Sequence, residues 1–190
     1  MFRSPKSSQA GFSLLEIIIA VSVLAILAGV ISMRSGVVLD NAKATKVTEI
    51  VESLKTACAA YHADTGDFPR EVSQGSSTAR DLTSEQSSAG WNGPYLESPL
   101  GRSGTNPYGG RIDLYNSVTT GSWVTGFDTD GDGTEDVTGS ACMLRLDSVL
   151  PEEAERVDQI LDGGVPGTWE DSGRVRYISG SSRLLILTYF

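Results

Sequence analysis

Residues 12–33, "FSLLEIIIAVSVLAILAGVISM", carry a single charge, Glu16, close to their start. As a helix rising about 1.5 Å per residue they cover about 33 Å, close to the thickness of a bilayer's hydrocarbon core. A helix that is apolar on every side is covered by lipid or by other helices rather than by one face of a small domain. An isolated carboxylate there costs several kcal/mol unless a cation pairs with it, so Glu16 marks a function.

Two plain readings of the segment are a cleaved secretory signal and a simple anchor. A secretory signal sets its apolar run directly behind the basic residues and ends it at a small-residue cleavage site. Here Arg3 and Lys6 are separated from the run by "SSQAGFSLLE", the acid lies inside it, and no such site follows. The segment reads as retained.

"AGFSLLEIIIAVSVLAILAG" resembles the class III signal of type IV pilins and of the pseudopilins of type II secretion. That pattern is a short basic leader, a Gly, an aromatic residue, a Glu at the fifth mature position and about twenty apolar residues. The resemblance implies that a prepilin peptidase cuts between Gly11 and Phe12 and methylates the new amine of Phe12. Glu16 then lies one turn from a cation (i, i+4), and a buried carboxylate is tolerable beside one. The family implies that the decisive cation belongs to a neighbouring subunit, so that Glu16 sets the stagger during assembly. An intramolecular pair, supported by the helix dipole, is the alternative. Many pilins carry a Pro in the second half of this helix. This chain has none before Pro69, and Gly29 is its obvious weak point.

Beyond Arg34, Ser35 and Gly36 a one-sided helical pattern begins. Val47, Ile50, Val51, Leu54, Cys58 and Tyr61 draw an apolar stripe, and Lys43, Lys46, Glu49, Glu52 and Lys55 fill the other faces. Gly66 is placed to cap the helix and Pro69 to keep it from resuming. His62, at this exit, has no nucleophile arranged around it and reads as a surface or capping residue. Residues 70–90 are polar and read as a loop with a short helix after Thr78. "GWNGPYLESPL" and "NPYGGRIDLY" are similar to the pseudopilin pattern W-x-G-P-Y-L followed by D-P-W-G, with Asn106 and Tyr108 in place of the Asp and Trp. In either family Trp91, Tyr95 and Tyr108 read as ordinary core anchors around Pro/Gly turns.

"DTDGDGTED", residues 128–136, packs five acids into nine positions. Such crowding is costly without a cation. Asp128, Asp130, Asp132 and Asp136 take positions 1, 3, 5 and 9 of a calcium loop, Gly133 the sharp bend and Thr134 the carbonyl position. The bidentate Glu at position 12 is missing, since Gly139 stands there, and a solvated acidic turn is the alternative. Major pseudopilins hold a structural calcium in a late loop of the head, and the resemblance implies the same Ca2+ here.

Toward the C-terminus, "CMLRLDSVL" reads as a strand. "PEEAERVDQILDGG" reads as a short helix with Ala154, Val157, Ile160 and Leu161 on one face, and "SGRVRYI" with "RLLILTYF" as a closing hairpin. A head outside the cytoplasm permits a disulfide. Cys58 on the helix and Cys142 on the strand would close a long loop contributing roughly 3–5 kcal/mol, with two packed thiols as the alternative.

The formal net charge of −9 and pI of about 4.6 speak against nucleic acid or an anionic lipid surface as partner. One His and two scattered Cys give no zinc spacing, and no triad, dyad or phosphate loop points to an enzyme. The expected architecture is α+β in the type IV pilin fold: a long N-terminal helix on a small antiparallel sheet. Its expected parts are a leader (1–11), a membrane and filament-core helix (12–35), an amphipathic helical half (36–66) and a β-rich head with the calcium loop (67–190). The expected function is a structural subunit of a type IV pilus or type II pseudopilus. Its expected partners are its own copies or other pilins in a helical filament, the prepilin peptidase and an inner-membrane assembly platform. It is expected in the inner membrane before assembly, head outside the cytoplasm, and then in a pilus or periplasmic pseudopilus. A membrane-anchored, non-polymerising calcium-dependent binding module is the rival.

Overall fold

The computed structural model describes residues 12–74, 77–101, 106–119, 124–163 and 165–190, with side chains also left aside at 31–38, 73, 74 and 77. Helix α1 runs unbroken from Leu14–Thr65, through Gly29 and through the polar triplet at 34–36. The chain forms two compact units, one ending at Leu39 and one beginning at Asp40.

In the second unit, α1 buries the stripe that its periodicity draws. Val47, Val51, Leu54, Cys58 and Tyr61 are all withdrawn from solvent. Gly66 ends the helix at φ 78°, donating its N–H to the His62 carbonyl at 2.8 Å, a left-handed cap that glycine adopts without steric cost.

Six antiparallel strands follow: β1 (Glu71–Gln74), β2 (Ser77–Arg80), β3 (Ile112–Tyr115), β4 (Cys142–Asp147), β5 (Val175–Ile178) and β6 (Arg183–Tyr189). Their order across the sheet is β2-β1-β3-β4-β6-β5. Strand alternation divides the side chains between two faces. Ile112, Leu114, Cys142, Leu144, Leu146, Leu184 and Ile186 join the α1 stripe in the main core. Tyr115, Met143, Leu185 and Leu187 face the other way and pack with Val118, Val124 and Phe127 from the long β3–β4 connection. The chain thus has the α+β type IV pilin fold.

Helix α2 (Pro151–Leu161) begins with Pro at its first position, and the Glu153 carboxylate accepts the Leu150 N–H at 3.0 Å. Ala154 and Val157 are buried as its pattern predicts, whereas Ile160 is half exposed. The closing hairpin forms as expected, with β5 and β6 paired around a 3-10 turn at Ser179–Ser181.

The polar stretch after Pro69 departs from expectation. Instead of a loop with a helix after Thr78, β1 and β2 pair from Glu71↔Arg80 to Gln74↔Ser77. Glu71, fully buried, holds this pair: its carboxylate accepts from the Leu82 N–H, the Thr83 hydroxyl and Arg80. A polar strand whose anchor is a buried acid leaves no hydrophobic alternation to read.

Candidate functional site

At the N-terminus of α1, Ser13 precedes the first helical residue and its hydroxyl accepts the Leu15 N–H at 3.3 Å. Ser13 and Glu16 stand in the S-x-x-E spacing that marks a helix start. Glu16 occupies the first turn, where an acid suits the dipole. Around it Phe12 is 80% exposed, Leu14 77% and Ile18 53%, so the apolar side chains stand out on all sides. Among the described residues no helix is long and apolar enough to cross a membrane. Gly11, the residue before the expected cut, lies outside the described residues.

The acidic loop is closed at its base by an antiparallel bridge between Phe127 and Val137, with N–H···O distances of 3.0 and 3.1 Å. Inside it Asp128, only 8% exposed, accepts backbone N–H groups from Gly131, Asp132 and Gly133 at 2.8, 3.2 and 2.8 Å. The Asp136 carboxylate accepts from the Thr129 hydroxyl at 2.7 Å and amide at 2.8 Å, which holds its pKa below the usual carboxylate value. Gly131, at φ 76°, lies against the Pro166 carbonyl where a Cβ would collide. The Gly173 N–H reaches the Asp128 carbonyl at 2.6 Å. The 166–173 segment thereby pins the loop to the head, a contact that nothing in the local sequence signals.

Carboxylate oxygens of Asp128, Asp130 and Asp136 converge to within 4.8 Å of one another. Asp132 does not join them. Its carboxylate accepts the Thr134 N–H at 2.7 Å, as a side chain bracing its own turn does. Glu135 is also turned away, toward the Thr125 hydroxyl at 2.6 Å and Arg176 at 3.1 Å, contacts that lower its pKa. Three converging hard oxygens fit calcium's ligand chemistry, and these three side chains would hold it.

The "GWNGPYL" stretch clasps the end of α1. The Tyr95 hydroxyl donates to Asp64 at 2.8 Å, Trp91 Nε1 donates to the Asp81 carbonyl at 3.0 Å, and the Tyr95 ring meets Tyr61 edge-on at 5.5 Å. Asn106 ties a turn to the sheet through bonds to the Arg111 and Asp147 carbonyls at 3.1 and 2.8 Å. These residues anchor, as their composition indicates. His62 stacks on Phe68 at 4.7 Å beside the helix end.

Residues 6–32 match the family described as the prokaryotic N-terminal methylation motif, and residues 39–131 match the one described as PilW, C-terminal. The chain is a type IV pilin-like protein. The two matches are separated by residues 33–38 of α1, and together they cover the signal, the amphipathic half-helix and the head as far as the acidic loop. No curated protein and no solved structure matches the chain. The methylation motif marks this pilin-like chain as a pilus- or pseudopilus-related subunit, and pilin-like families are structural rather than catalytic.

Proposed function

We propose that this chain is inserted in the inner membrane with its head outside the cytoplasm, cut after Gly11, and polymerised through α1 into a type IV pilus or a type II pseudopilus. The observation that carries the reading is the first half of α1, where one acid stands among apolar side chains exposed on every face. In a packed bundle of such helices the buried Glu16 carboxylate needs a partner. The cleaved amine of a neighbouring Phe12 supplies it, so docking is favourable at one stagger and costly at others. The partners are further pilin copies, the prepilin peptidase and an inner-membrane assembly platform. Calcium at Asp128, Asp130 and Asp136 serves as a structural ion that neutralises the crowded acids. The convergence of their oxygens supports this part.

Electron microscopy of filaments, with mass spectrometry of their subunit, tests the proposal. The subunit is expected to begin at methylated Phe12. Filament-borne protein that retains Met1, or a processed chain found only as membrane-bound monomer, would overturn it.

A further inference from the structure

Cys58 and Cys142 are distant in sequence and meet in the fold. Cys58 lies on the buried stripe of α1, and Cys142 opens β4 with its side chain on the same face as Leu144 and Leu146. Both are free thiols with no solvent exposure, in one core cluster, and close enough to influence each other. That contact, with burial, pushes the Cys58 thiol well above its ordinary value. Thiolate is the attacking species in disulfide exchange, so the seated pair is slow to react, and no oxidant sulfur reaches a fully buried site.

We infer that Cys58 and Cys142 form a disulfide that fastens α1 to β4, closed by a disulfide-bearing oxidant while α1 is not yet seated. One cysteine thiolate attacks a sulfur of the oxidant's disulfide and forms a mixed disulfide. The second cysteine thiolate displaces the oxidant, which leaves as a dithiol. Two protons and two electrons leave the pair, and the oxidant takes them up. Folding then shields the bond from later reduction. The consequence is mechanical: a pull along α1, where the proposed filament carries load, is borne by a covalent link to the sheet rather than by apolar packing. The inference rests on the head lying outside the cytoplasm, because bridges persist in oxidising compartments.

Two arms test it. In the first, the reduced full chain is unfolded in denaturant with detergent, then refolded in a mixture of reduced and oxidised glutathione and mapped without reduction. A cross-linked Cys58–Cys142 peptide is expected, and reducing it should lower the thermal midpoint by roughly 10 °C. The folded, reduced chain should resist the same glutathione mixture. Glutathione adducts or free thiols in place of the cross-link overturn the inference, and so does a cross-link that leaves the midpoint unchanged. In the second arm, protein from the cell envelope is trapped with an alkylating reagent in denaturant. Free thiols there overturn the bridge as a native bond and leave the filament reading standing, because filaments are counted separately. The paired substitution Cys58→Ala with Cys142→Ala should still give filaments but lose the midpoint difference between oxidising and reducing conditions.

Discussion

Asp113 and Arg145 pair at 3.2 Å on the sheet face opposite α1, with side chains 0% and 1% exposed. Arg111 reaches Asp113 at 2.8 Å, and Arg145 also donates to the Tyr115 hydroxyl at 2.8 Å and pairs with Asp147 at 3.1 Å. Ion pairs this buried do little for stability against well-packed apolar residues, yet breaking one strands a charge. Asp113→Ala should therefore cost about 3–5 kcal/mol. Arg111→Ala, at a side chain 22% exposed, leaves Asp113 paired with Arg145 and should cost less, about 1 kcal/mol. Pairing Asp113→Leu with Arg145→Met should recover most of the loss. Urea denaturation of the full chain in detergent measures all three, and a double variant as weak as Asp113→Ala would show that the pair contributes more than charge balance.

Acidity should act through α2. Burial first, then the neighbouring Asp162 and Glu155, push Asp158 up to about 6. A carboxyl whose folded pKa lies above its unfolded value of about 4 binds a proton more tightly when folded. Stability from this group is thus fully present below pH 4 and lost as pH rises to 6. Asp158→Asn should raise stability by about 2 kcal/mol at pH 8 and change it little at pH 4. Thermal midpoints at the two pH values decide it: equal gains at both would assign the effect to packing rather than to charge.

The elements that bury apolar periodicity were legible from residues alone. The α1 stripe, the Pro-and-acid start of α2 and the closing hairpin all announce themselves by spacing or by turn residues. The β1–β2 hairpin did not, because "EVSQ" and "STAR" hold together through Glu71, and a buried acid in a four-residue strand reads as loop. Nor was the burial of Asp113 and Arg145 legible, since it depends on strand neighbours far along the chain. In the acidic loop, D-x-D-x-D-G spacing pointed to the region and could not say which carboxylates converge. That depends on the turn bonds that occupy Asp132 and on the 166–173 segment that fixes Asp128.

Glu16→Ala should leave the head's stability unchanged and reduce filament yield by tenfold or more, because each subunit loses the one polar contact of its apolar helix; tenfold corresponds to about 1.4 kcal/mol. Glu16→Gln keeps the size and removes the charge, so it should resemble Ala if pairing with an amine is the role. Counting sheared filaments per cell, with chain abundance held equal by immunoblot, separates the outcomes. Full yield from the Gln variant would mean that docking does not use the charge.

Calcium should be visible in the loop by which side chains it depends on. With free calcium at 100 times Kd, binding only the folded head would add about 2.7 kcal/mol. Asp130→Ala and Asp136→Ala each remove a converging carboxylate and should abolish the difference between EGTA and millimolar calcium. Asp132→Ala should keep most of that difference, because its carboxylate braces Thr134 rather than facing the other three. Asp128→Ala should lower the midpoint even in EGTA, since the Gly131 and Gly133 N–H groups lose their acceptor, while the Asp132 N–H keeps the Asp130 carboxylate. Melting the four variants beside the parent chain, with and without calcium, reads both effects at once. A parent midpoint indifferent to calcium would return the loop to an acidic turn held by its own hydrogen bonds, and a calcium shift lost in Asp132→Ala but kept in Asp136→Ala would move the ion to the other side of the loop.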